Sequence, residues 1–143
     1  MKKYLLALLA LIGLSNLAWA TDDWPTQKLI RVIAVFPPGG SVDQVARILA
    51  PALQTQLKQS VIVENIGGAS GVIGTAALAK AAPDGYTFAV VFDTHGVNPS
   101  LKDKMPYDTK KDLVTVSMIG TAPMVLSASK ASGITSFKQL VDQ

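Results

Sequence analysis

Residues Phe36-Pro37-Pro38-Gly39-Gly40-Ser41-Val42-Asp43 carry the clearest chemical pattern in the chain. An apolar strand runs into a Gly-Gly turn, and the turn runs into a helix. The unpaired amides of a helix's first turn point back at such a turn, and with the helix dipole they can hold an anion. Glycine removes the Cβ that would keep a carboxylate off the backbone. The same residues also describe a plain tight turn between strand and helix. Ser41 with Gln44 three residues on is a capping-box pattern. Asp43 in the first helical turn suits the helix dipole. Its ligand-facing alternative is to order water or to meet an ammonium group.

Other chemistries find little support. The stretch 65–74 is glycine-rich, but no three glycines fall at G-x-G-x-x-G offsets and no Walker A sequence occurs. His95 is the single histidine, and no metal-ligand spacing surrounds it. Ser41, Asp93 and His95 are the types a hydrolase uses, yet neither Ser41 nor Ser70 sits in G-x-S-x-G. The reading is therefore a binding protein with no enzyme activity, no metal and no cofactor. His95 is expected in a loop from which it can touch a ligand. Asn98-Pro99-Ser100 is no glycosylation acceptor, because its middle residue is proline.

The elements that must hold the turn follow from periodicity. Residues 29–35 are rich in Val and Ile and read as a strand. Val42, Val45, Ala46, Leu49, Leu53 and Leu57 recur at helical spacing over 42–57, with Pro51 expected to kink or split that helix. Residues 61–63 form a second strand and 75–82 a small-residue helix. Pro83-Asp84-Gly85 is a turn. Residues 86–92 form a third strand, apolar enough to be buried on both faces. Residues 93–98 are expected as a loop, 102–112 as surface turns plus a short helix, and 114–127 as an apolar, β-prone stretch. A last helix covers 136–143, with Phe137, Leu140 and Val141 on one face. The order β-α-β-α-β predicts a parallel sheet. Ligands of such sheets bind beyond the carboxyl ends of the strands, so the turn at 38–41 and the loop at 93–98 can line one cleft.

The first twenty residues stand apart. Met1-Lys2-Lys3-Tyr4 is a basic start, Leu5 to Leu14 an apolar run, and Ala18-Trp19-Ala20 a small-x-small cleavage pattern. Together they predict a secretory signal peptide over 1–20, cut before Thr21, and not a spanning helix, which needs roughly 20 apolar residues. Lys2 and Lys3 leave with it, which takes 13 Lys+Arg to 11 against 10 Asp+Glu. No basic surplus remains to point to nucleic acid. The absence of cysteine excludes disulfides, thiolate metal sites and a lipidated cysteine anchor, so the exported product is expected without a stable membrane anchor. The chain stops inside its last helix without a C-cap glycine or polar tail, which predicts a truncated or partial lobe.

The residues resemble a known family. Trp24-Pro25, then Val35-Phe36-Pro37-Pro38-Gly39-Gly40-Ser41 with Asp43 and Ala46-Arg47, is similar to the opening of the tricarboxylate-transporter receptors (Bug-type receptors). Val63-Glu64-Asn65, Gly71 to Gly74 and Ala79-Lys80-Ala81-Ala82-Pro83-Asp84-Gly85-Tyr86-Thr87 continue the match. Asn98-Pro99-Ser100-Leu101, Pro106-Tyr107-Asp108 and Lys111-Asp112-Leu113 follow in order. The family commonly has Arg-Pro where this chain has Ile66-Gly67. The resemblance implies an α/β lobe of the type II periplasmic-binding-protein fold over 21–143, incomplete and lacking its second lobe. It implies periplasmic capture of a small di- or tricarboxylate and delivery to membrane permease subunits of a tripartite transporter. A receptor presenting its ligand to a sensor kinase, or a non-functional receptor fragment, is the alternative. It implies that the turn at Pro38 to Ser41 and the loop at Asp93 to His95 face the ligand, and the candidate ligand residues are Phe36, Pro38, Gly39, Gly40, Ser41, Asp43, Thr94 and His95.

Overall fold

A computed structural model describes residues 24–142. The leader over 1–20 lies outside these residues. Three parallel strands form one sheet in the order β2-β1-β3. β1 (Ile30–Ala34) is central, paired with β2 (Val61–Asn65) from Ile30↔Val61 to Ala34↔Asn65 and with β3 (Thr87–Val90) from Arg31↔Thr87 to Ala34↔Val90. A central parallel strand is covered on both faces and so is apolar almost throughout. Ile30, Val32 and Ala34 face one side, where α1 (Ser41–Leu57) lays Val42, Ala46 and Ala50 against them. Those three helix positions are four apart, and the two alanines let the helix sit close. Ile33 and Val35 are buried on the other side, where α2 (Val72–Ala79) packs on β1 and β3. α3 (Thr94–Leu101) follows β3, and a short α4 (Phe137–Val141) lies near the end.

The βαβαβ reading and the parallel sheet hold, and several boundaries move. α1 runs unbroken through Pro51. The proline is exposed, it gives up one helical bond, and its carbonyl accepts the Thr55 hydroxyl at 2.9 Å. β2 continues to Asn65, two residues beyond expectation. α2 starts at Val72 and not Thr75, because Gly71 at φ +86° turns the chain into the helix. β3 is shorter than 86–92, and its first three residues are only half-buried. It stands at the sheet edge, with Val91 and Phe92 exposed beyond it. The expected loop at 93–98 is helical from Thr94, and α3 passes through Pro99. Residues 102–112 form turns without a helix, because the Asp108 carboxylate accepts the amides of Lys110 and Lys111. The β-prone stretch 114–127 forms no helix and pairs with no strand among the described residues. Its Val114 and Met124 are 90% and 92% exposed. The last helix appears as expected, with Ser136 accepting the Gln139 amide as its N-cap.

Candidate functional site

The turn after β1 is held by side chains from two elements. Gly39 has φ +82°, a region glycine enters without cost. Its amide donates to Asp43 Oδ2 at 2.8 Å, and its carbonyl accepts Gln44 Nε2 at 3.0 Å. The Gly40 amide donates to the Pro37 carbonyl at 3.3 Å. Both peptide planes of the turn are therefore fixed. Gly40, at φ −75° and ψ 169°, is the N-cap, and Ser41 is the first helical residue. This corrects the capping-box reading: the Ser41 hydroxyl makes no capping bond. The backward reach belongs to Asp43 and Gln44.

Asp43 is 4% exposed. Besides the Gly39 amide, its Oδ1 accepts Asn65 Nδ2 at 2.8 Å and Arg47 Nε at 2.9 Å. Asn65 ends β2; its Nδ2 also donates to the Phe36 carbonyl at 3.2 Å, and its Oδ1 accepts Arg47 Nη2 at 3.1 Å. The Gly39 amide, then Arg47 and Asn65, hold the Asp43 carboxyl down to about 2. It is ionised across the physiological range, with Arg47 balancing its charge.

The first helical bond of α1 runs from the Gln44 amide to the Gly40 carbonyl at 3.0 Å. The amides of Ser41, Val42 and Asp43 come before it and have no acceptor within the helix. They lie at the carboxyl edge of the sheet, where the Ser41 side chain is exposed and those of Val42 and Asp43 are buried. Three donors at the positive end of a seventeen-residue helix favour an anion.

The next loop leans on this turn. A Cβ at Gly67 would meet the Pro37 ring at 3.3 Å, and one at Gly71 would meet Val35 at 3.0 Å and the Phe36 ring at 3.5 Å. Gly68, Ala69, Ser70 and Gly71 all have positive φ. For Ala69 and Ser70 that conformation costs on the order of 1 kcal/mol each. The buried Asn98 of α3 helps to hold it, donating to the Ser70 carbonyl at 2.9 Å. The loops after all three strands are thereby linked.

Phe36, Gly39, Gly40, Ser41 and Asp43 thus meet in one turn, and Pro38 is exposed beside them. Thr94 and His95 open α3 and share no hydrogen bond with that turn among the described residues. The His95 ring stacks on Tyr107, centroids 6.4 Å apart, and burial lowers its pKa. His95 Nδ1, Tyr107 Oη and Thr109 Oγ1 are buried without a protein partner. Sequence reasoning missed the binding roles of Arg47, Asn65 and Asn98 in this framework. Arg47 at four residues from Asp43 was the available signal, since such pairs meet on a helix. Among the described residues no cluster of His, Cys, Asp or Glu could hold a metal, and no helix is long and apolar enough to cross a membrane.

Fold and loops together define a parallel α/β lobe of the periplasmic-binding-protein type. Residues 45–143 match the model of the tripartite tricarboxylate transporter family receptor, and the chain belongs to that family. The match starts just beyond Asp43, so the turn is read from its own geometry. BugT of Bordetella pertussis is 44% identical over 126 residues, covering 87% of this chain and 38% of the relative. A structure described as a periplasmic transporter is 44% identical, with a TM-score of 0.58 over 62% of this chain and 30% of that one. The periplasmic binding protein BugD is 36% identical, with a TM-score of 0.58 over 60% and 29%. MatC of Rhodopseudomonas palustris, solved with bound malate, is 34% identical, with a TM-score of 0.53 over 59% and 29%. The chain spans about two fifths of the length of the curated relatives it matches.

Proposed function

We propose that this chain is the first lobe of an exported receptor that takes up a small dicarboxylate at the amides of Ser41 and Val42. The observation that carries the reading is the fixed turn at Phe36 to Gly40, which leads directly into the unpaired first-turn amides of α1 at a positive helix end. Membership of a transporter receptor family and a relative solved with malate support a carboxylate as the anion. The leader at 1–20 directs the chain to the periplasm and is removed before Thr21, leaving the lobe over 21–143. The receptor delivers its ligand to the permease subunits of a tripartite transporter. It acts by binding alone, and no reaction is assigned to it.

Calorimetric titration with malate tests the reading, using the whole gene product with any sequence that follows Gln143. Binding that is lost in folded Gly40→Val supports it. A valine Cβ would press on the Pro37 carbonyl, 3.3 Å away, and its methyls would crowd the anion's approach. Unchanged affinity in that variant, or no binding of dicarboxylates by the wild type, would contradict it.

A further inference from the structure

We infer that Asp43 is a positioning residue and not a ligand contact: with Arg47 and Asn65 it forms a charge-balanced clamp that sets the Gly39 peptide and thereby aims the ligand-binding amides. The inference rests on the proposed carboxylate site and adds the part that shapes it.

Three features carry it. The first is saturation. Asp43 is buried and accepts from the Gly39 amide, from Asn65 Nδ2 and from Arg47 Nε, at 2.8, 2.8 and 2.9 Å. Three of a carboxylate's roughly four acceptor positions are thus taken by the protein, which leaves little for a ligand ammonium. The second is the span of the clamp. It joins the start of α1 to the end of β2, and Asn65 reaches on to the Phe36 carbonyl at the end of β1. Both strand ends and the helix start are thus tied through one carboxylate. The third is charge. A lone carboxylate in the first helical turn would repel an incoming dianion. Arg47, the charged group bonded to Asp43 among the described residues, cancels that charge locally, and the helix end stays positive.

The clamp also gives Arg47 a function that distance from the amides would hide. Removing it leaves an uncompensated negative charge behind the site. The cost should be larger for a dianion than for a monoanion. Removing the carboxylate has another signature. It frees the Gly39 amide, at φ +82°, and loosens the turn for every ligand alike.

The test has a ligand-free arm and a binding arm, both on the whole gene product. In proton–nitrogen NMR spectra without ligand, the Gly39 amide should exchange slowly. Its proton should move upfield in Asp43→Ala. In the wild type it should titrate with Asp43 itself, with a midpoint near pH 2. A Gly39 amide that ignores both changes overturns the clamp, whatever binds. In the binding arm, malate is compared with aspartate, which carries an ammonium group in place of the hydroxyl. Asp43→Asn should weaken both by the same factor, about tenfold or more. A loss confined to aspartate would make Asp43 a contact for the ammonium group, and unchanged affinity for both would reduce it to dipole compensation; either overturns the inference. Arg47→Gln should weaken malate more than the monoanion lactate, and equal losses would contradict the charge argument. Gly40→Val separates the two levels. If it abolishes binding while Asp43→Asn does nothing, the carboxylate site stands and the clamp falls. If it leaves malate affinity unchanged while the Gly39 amide behaves as described, the clamp stands and the site falls.

Discussion

The molecule has two glycine-rich loops at one edge of its sheet, and they use glycine for different ends. In the turn after β1, Gly39 is needed for its backbone angle: φ is +82° and a Cβ there would meet nothing within 4 Å. Side chains then fix that open turn through hydrogen bonds. In α2, just past the loop after β2, Gly74 is needed for room. A Cβ on it would run into the Ile66 carbonyl and into Val35. Packing fixes that position, where α2 sits against Val35.

The sharpest way to break the comparison is Gly74→Val. Gly74 is buried, and the side chain would have to displace backbone at the heart of the β1–α2 contact. Destabilisation of about 3 kcal/mol or more is expected. Loss of a cooperative thermal melt, followed by circular dichroism, is the measurement. A variant that melts like the wild type would show that the position is not packing-limited. Gly40→Val is the contrasting change. It should leave the melt nearly in place and weaken malate by at least about a hundredfold, since two charge-assisted bonds are worth roughly 1.5–3 kcal/mol each. Titration calorimetry reads the second effect. Ser41→Ala should cost less than about tenfold, because its hydroxyl caps nothing and can make at most one ligand contact.

Acid should separate the loops as well. The folded Asp43 carboxyl lies near 2, below its ordinary 3.8. The stability it contributes is therefore complete above about pH 4 and disappears as pH falls from there towards 2. Asp43→Asn should flatten that part of a pH–melting curve. His95 acts in a higher window. Burial lowers its pKa from 6.5, so the unfolded chain takes up a proton first and stability falls as pH drops below 6.5. His95→Gln should remove that slope and leave the Asp43 window unchanged.

Much of this was legible in the sequence, and the reasons differ by region. The Val and Ile richness of residues 29–35 and the i, i+4 apolar stripe of 42–57 are strong local signals, and both elements appear nearly where they were expected. The Gly-Gly turn was readable because proline and glycine act on their own backbone. The clamp was not readable. The i, i+4 spacing pairs Asp43 with Arg47, but Asn65 joins them only when β2 lies beside β1, and no local pattern encodes that meeting. The start of α2 at Val72 was missed for a related reason. Gly71 and Gly74 look like loop glycines, but one turns the chain and the other lets the helix touch Val35. His95 was expected in a loop, and it lies in α3, where its ring stacks on Tyr107, twelve positions along the chain. Residues 114–127 show the opposite limit: their strand-like composition was plain, and pairing depends on a neighbour that composition does not name.

The central claim is that a ligand carboxylate sits over the amides of Ser41 and Val42. Proton–nitrogen spectra of the whole gene product during a malate titration test it most directly. Both amide protons should move downfield together, saturating at the affinity found by calorimetry. Saturating malate binding that shifts other amides and leaves Ser41 and Val42 in place would contradict the claim.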